Sequence, residues 1–165
     1  MRNSYSIAGN DRVAAQIWRD PYPCGNSPQQ QSHGDPELPQ TQKVTLRDRG
    51  YRLGIVANQP LGSEARLAGF GLRDCFEVIC ASDEEGVAKP DPEIFRRAIT
   101  RAGCNPAESV MIGDRTDNDI APAKALGMQT VLIRQGYGGY HVVHSPEEAP
   151  DETVDTLTEL LPLFP

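Results

Sequence analysis

Val110-Met-Ile-Gly-Asp114-Arg-Thr-Asp117-Asn-Asp119-Ile-Ala-Pro-Ala-Lys-Ala-Leu-Gly-Met128 is the stretch on which the reading of this chain turns. Residues 109–112 form a short apolar run suited to a buried strand. A turn follows, then a helix over 120–126 that Gly127 closes. The turn carries three carboxylates, Asp114, Asp117 and Asp119, within six positions. Two carboxylates about 4 Å apart repel by roughly 4 kcal/mol at an effective dielectric near 20. A hard cation offsets that repulsion, and Mg²⁺ takes one or two carboxylates together with water and phosphate oxygens. The competing reading is that Asp117 to Asp119 cap the helix, a common duty of Asp and Asn. Asp117 is assigned to that cap. Asp114, at the strand's mouth after Gly113, is the metal candidate, and Asp119 is open to either reading.

The same alternation continues on both sides. Residues 43–49 read as the end of a helix stopped by Gly50, and 52–57 as a short buried strand. Ser63 is placed as the cap of a helix that fades at Gly69 or Gly71, and 76–80 as a second strand. Asp91 caps a further helix, because Pro92 fits its first position, and Gly103 ends it. Ile94, Phe95, Ala98, Ile99 and Ala102 give that helix one apolar face. Residues 130–133 are a fourth strand, and 152–161 read as a last amphipathic helix with Val154, Leu157 and Leu161 inward. Strands alternating with helices predict an α/β fold, a Rossmann-like parallel sheet flanked by helices. Ligands of such sheets bind beyond the carboxyl ends of the strands.

Two further stations fall at that end. Lys89 lies in Gly86-Val-Ala-Lys-Pro-Asp-Pro-Glu-Ile-Phe95, and Pro90 keeps it out of the helix that follows. An ammonium there neutralises a phosphate or a crowded carboxylate site; by itself it would be an ordinary surface lysine. Asn58, directly after the 52–57 strand, either donates its amide to a phosphate oxygen or serves as a turn residue before Pro60.

The first forty residues are unlike the rest. Residues 10–20 read as a short helix, capped by Asn10 or Asp11 and stopped by Pro21. Residues 21–42 are rich in Pro, Gln, Ser and Gly, with little to bury, and read as loop or disorder. The chain therefore divides into a lead-in over 1–42 and an α/β core over 43–165. The 165 residues carry a formal charge of −7 and 38% hydrophobic residues, enough for one modest core. An acidic balance argues against nucleic acid or an anionic membrane as partner. No apolar run approaches the roughly 20 residues of a membrane span, and the start lacks the regions of a secretory signal. Cys24, Cys75, Cys80 and Cys104 form no C-x-x-C pair and are expected as separate thiols in a reducing cytoplasm. His141 and His144 would point to opposite faces of a strand-like stretch, so no metal pair is assigned to them.

Asn58, Lys89 and the Asp114–Asp119 turn, in this order across 46–165, resemble the motifs of the haloacid dehalogenase superfamily. Arg49-Gly-Tyr-Arg-Leu-Gly-Ile-Val-Ala-Asn-Gln-Pro60 looks like its second motif, 82–95 like its third, and 110–128 like its fourth. By this resemblance Lys89 is the catalytic lysine that holds the phosphate and the nucleophile's charge. Asn58 contacts phosphate, Asp114 binds Mg²⁺, and Asp119 ligates the ion or orients its waters. Two departures stand out. Ala57 occupies the place of a Thr or Ser. No Asp-x-Asp follows an apolar strand before residue 46, so the nucleophilic aspartate of the first motif is missing; Asp20 in Ile17-Trp-Arg-Asp-Pro21 is the nearest miss.

The family's first strand lies mid-sheet, so its loss would leave two facing unpaired edges, a gap that residues 1–20, read here as a helix, would have to fill. The resemblance thus implies a sheet incomplete at the N-terminus, with 1–42 a cap remnant and the first motif lost or upstream of Met1. It implies a Mg²⁺-dependent phosphatase of small phosphorylated metabolites, acting through an aspartyl-phosphate, with this chain weak or inactive. From another class comes a non-catalytic domain that binds phosphate, Mg²⁺ or a partner chain. A receiver-like signalling domain is disfavoured, because there the acidic pair precedes the lysine.

Overall fold

The strands are β1 (Arg12–Gln16), β2 (Tyr51–Ala57), β3 (Val78–Ala81), β4 (Ser109–Gly113), β5 (Gln129–Ile133) and β6 (Glu152–Val154). They form one sheet in the order β3-β2-β1-β4-β5-β6, and every neighbouring pair is parallel. The computed structural model describes residues 12–16, as backbone only, together with 46–135 and 142–165. The helices are α1 (Ser63–Gly69), α2 (Ser82–Glu85), α3 (Pro92–Ala102) and α4 (Ala121–Ala125). Parallel strands joined by such crossovers bury both faces of the sheet.

Alternation along each strand divides the core in two. Leu53, Ile55, Val110, Ile112, Val131 and Ile133 pack on one face with Phe76, Leu160 and Phe164. Val56, Val78, Cys80 and Met111 face the other way, onto Ile94, Phe95 and Ala102 of α3 and Ala123 of α4. The sequence signals for α3 hold in detail. Asp91 Oδ1 accepts from Glu93 N at 2.9 Å, Pro92 takes the first position, and Gly103 ends the helix at φ 62°. Ile94 and Phe95 are wholly buried, while Ala98 and Ile99 are partly so. Residues 46–48 are helical, and Gly50 follows at φ 83°, the left-handed stop expected there.

Four expectations need correction. The helix expected over 10–20 is replaced by β1 at 12–16, which pairs with β2 from Arg12↔Tyr51 and with β4 from Val13↔Ser109. The flanking edges supply the reason: each presents unpaired N–H and C=O groups, and a ladder on both sides outweighs a weak local helical pattern. A segment of residues 1–20 thus takes the mid-sheet place, as a strand and not as a helix. Residues 152–161 are not one helix. Glu152–Val154 pairs in parallel with β5, and a 3₁₀ helix follows over Leu157–Leu163. Val154 is buried and Leu157 and Leu161 pack against the core as expected, because the inward positions are shared by both patterns.

Ser63 is buried as the first residue of α1 and does not cap it. Its hydroxyl donates to Pro60 O, and Glu84 Oε1 accepts from Gly62 N and Ser63 N at 2.8 and 3.0 Å. The strand-like reading around His144 also changes: residues 142–144 form no strand, and Val142 and Val143 are exposed. Cys75, Cys80 and Cys104 are free thiols. Cys24, His141 and the remaining lead-in residues lie outside the described residues.

Candidate functional site

Because β2, β3 and β4 run in parallel, the residues after them emerge at one rim: Asn58 after β2, Lys89 beyond β3 and α2, and Asp114 after β4. Lys89 runs inward. Only 6% of it is exposed, and its Nζ donates to Asp119 Oδ1 at 2.8 Å. The second oxygen of Asp119 accepts from Arg115 N at 3.1 Å. Burial pulls the Lys89 ammonium below its ordinary value, while the charge and hydrogen bond of Asp119, and then the Asp114 charge, act in the opposite sense. A buried ion pair of this kind adds little net stability, since desolvation consumes most of the attraction.

Asp119 reaches this position through two local devices. Residues Thr116–Ile120 form a π-type turn, with Asp119 N and Ile120 N both donating to Arg115 O, at 2.9 and 3.2 Å. Such turns are rare and concentrate at functional sites. Gly113 supplies the other device. A Cβ there would lie 2.4 Å from Asp119 Cβ and 2.5 Å from its Oδ2, so any side chain would push the carboxylate away. Thr116, in the same turn, is also buried, at 1% exposure. Asp117, assigned above to a helix cap, is exposed and pairs with the Arg115 guanidinium, Nε to Oδ1 at 3.0 Å.

Asn58 also joins this assembly. Its Oδ1 accepts from Lys89 N at 2.8 Å, and its Nδ2 donates to Lys89 O at 2.9 Å. The expected amide is therefore at the rim, directed at the main chain of the lysine. Asp114 is half-buried at the end of β4, close enough for its charge to act on Lys89.

The donors suit Mg²⁺ in kind, being carboxylate oxygens. They are few in number: among the described residues no group of three His, Cys, Asp or Glu could hold a metal ion. Both oxygens of Asp119 already accept hydrogen bonds. Asp114 and Asp119 are the two carboxylates at this rim that could hold such a cation, together with water.

Sequence reasoning placed Asn58, Lys89, Asp114 and Asp119 at one rim, and the structure brings them together. It passed over Gly113 as a packing requirement, Arg115 N as the partner of Asp119, and buried Thr116. The signal for Gly113 was present, because glycine between an apolar strand and an acidic turn marks a close approach. Nothing local marked Thr116.

A family model described as haloacid dehalogenase-like hydrolase matches residues 30–127. Glyceraldehyde 3-phosphate phosphatase of Methanopyrus kandleri is 38% identical over 119 residues, covering 72% of this chain and 51% of that protein. Phosphoserine phosphatase of Thermus thermophilus is 34% identical over 115 residues, covering 69% and 45%. The crystal structure of a HAD phosphatase from Thermococcus onnurineus superposes with TM-score 0.65 at 36% identity, covering 74% of this chain and 54% of that one. The chain spans about half the length of the curated relatives it matches.

Proposed function

Given that the chain belongs to the haloacid dehalogenase-like hydrolases, we propose that the rim of Asn58, Lys89, Asp114 and Asp119 is the seat for the phosphate of a small phosphorylated metabolite. The observation that carries this reading is the Lys89–Asp119 pair, with side chains 4% and 2% exposed. A lysine buried at that cost serves charge chemistry better than stability. The relatives' names, phosphatases of glyceraldehyde 3-phosphate and phosphoserine, favour a substrate of that size.

In this reading Lys89 supplies the positive charge, Asp119 holds the ammonium in place, and Asn58 completes the seat. Asp114 would hold Mg²⁺, with Asp119 orienting its water shell. A bound Mg²⁺ would offset the phosphate charge and the repulsion among the carboxylates. Hydrolysis by this family's route also needs a nucleophilic Asp, and no Asp-x-Asp precedes residue 46. Losing a hydrolase nucleophile costs on the order of 10⁶-fold in kcat. The 1–165 chain is therefore expected to bind phosphate with Mg²⁺ and to release little or none from p-nitrophenyl phosphate. Robust Mg²⁺-dependent release by the purified chain would contradict the second half of that expectation.

That missing aspartate is also the specific observation favouring a second reading, a non-catalytic domain that uses the seat for binding alone. Calorimetry with inorganic phosphate and Mg²⁺, on the chain and on Lys89→Ala, tests the seat itself. Binding weakened but still measurable in the substituted protein supports it, and no binding to either protein ends it. The absence of turnover alongside binding selects the second reading.

A further inference from the structure

Both functions of the Asn58 amide are spent on one residue 31 positions away: Oδ1 accepts from Lys89 N at 2.8 Å and Nδ2 donates to Lys89 O at 2.9 Å. An amide bonded to both main-chain groups of one residue acts like a one-residue strand partner, fixing where that side chain begins. Lysine has a long flexible stem and a compact charge, so its aim depends on its anchor.

The surrounding bonds extend this stitching. Gln59 N donates to Ser82 Oγ at 3.0 Å, and Asp83 N donates to Gln59 O at 3.3 Å. Glu84 Oε1 accepts from Gly62 N and Ser63 N. The loop after β2 is thus tied to the segment carrying Lys89 at several successive points. Pinned at its main chain by Asn58 and at its tip by Asp119, the Lys89 side chain is held at both ends.

We infer that Asn58 is a positioning residue of the seat: it acts through the main chain of Lys89, and its amide is not a phosphate ligand. This deepens the phosphate-seat reading and rests on it for its consequence, though not for its geometry.

Two measurements on the full chain test it. In the first, lysine acetylation is followed by mass spectrometry without phosphate. Asn58→Ala is expected to raise the labelling rate of Lys89 by about tenfold, the scale of one or two lost hydrogen bonds, with Lys124 unchanged. An unchanged Lys89 rate overturns the inference. Should Asn58→Ala fail to fold, Asn58→Asp keeps the acceptor and removes the donor, and a faster Lys89 rate is again expected. In the second, the affinity for inorganic phosphate is measured for the chain, Asn58→Ala, Lys89→Ala and the double variant. Asn58→Ala is expected to weaken binding by about tenfold, and by nothing further once Lys89 is gone. Additive losses would make Asn58 a phosphate contact and overturn the inference. If the unmodified chain binds no phosphate, the proposed function falls, and the labelling experiment alone decides the role of Asn58.

Discussion

Two ionic clusters lie a few residues apart in this fold and differ in what surrounds them. Lys89 and Asp119 form a single pair with both side chains nearly buried, 4% and 2% exposed. Glu85 is almost as buried, at 6%, but its partners Arg97 and Arg101 are 38% and 50% exposed. The arginines keep their charge largely in water, whereas the lysine has surrendered its hydration. The Glu85 cluster staples α3 to α2 at little cost. The Lys89–Asp119 pair leaves a desolvated ammonium and carboxylate bonded to each other, with Arg115 N on the second carboxylate oxygen. The proposed phosphate seat rests on that contrast.

The comparison breaks most visibly at Lys89. Lys89→Ala leaves Asp119 buried without its cation, and a loss of roughly 3–5 kcal/mol in urea unfolding is expected. Pairing Lys89→Met with Asp119→Leu should recover most of that loss while abolishing phosphate binding. A double variant as unstable as the single one would mean that the pair is structural. Next in size is Gly113→Ala. Its Cβ would fall 2.4 Å from Asp119 Cβ, and overpacking of that kind costs about 1–3 kcal/mol, with phosphate affinity lost alongside. Normal phosphate affinity in Gly113→Ala would show that the aim of Asp119 is unimportant.

Glu85→Gln is expected to cost roughly 1 kcal/mol, because its arginine partners are exposed and screened. The loss should shrink further in 1 M salt, where that of Lys89→Ala persists. The smallest effect is in pH. The carboxyls of Glu85, Glu84 and Glu77 are held below 4.5, chiefly by hydrogen bonds from Arg101, Ser63 N and Arg52 respectively. The folded chain then binds fewer protons than the unfolded one across that window. Their contribution is therefore complete above about pH 4.5 and is lost as pH falls through the folded values. Urea midpoints measured from pH 6 downward should decline, and Glu85→Gln should flatten part of the decline.

Legibility followed the range of each interaction. The helix α3 could be read almost to the residue, since Asp91, Pro92 and Gly103 act on their own neighbours. The strand at 12–16 could not, because Arg-Val-Ala-Ala-Gln has no strong local preference and its pairing is supplied by β2 and β4. Glu152–Val154 was hidden for the same reason, being short and specified by β5. At the rim, the order of Asn58, Lys89 and Asp114 was visible. That both amide groups of Asn58 would be bound to Lys89 was not, for the bonds span 31 positions.

By itself the amino-acid order determined the alternation of strand and helix, and with it the gathering of Asn58, Lys89 and the acidic turn at one end. Apolar periodicity, caps and glycine stops are local, and parallel crossovers then leave the strands little choice of direction. Only the tertiary structure decided which segment occupies the centre of the sheet, why residue 113 must lack a side chain, and which carboxylate receives the ammonium. Those outcomes depend on pairing, close approach and removal of water, and each needs the whole fold in place before it exists.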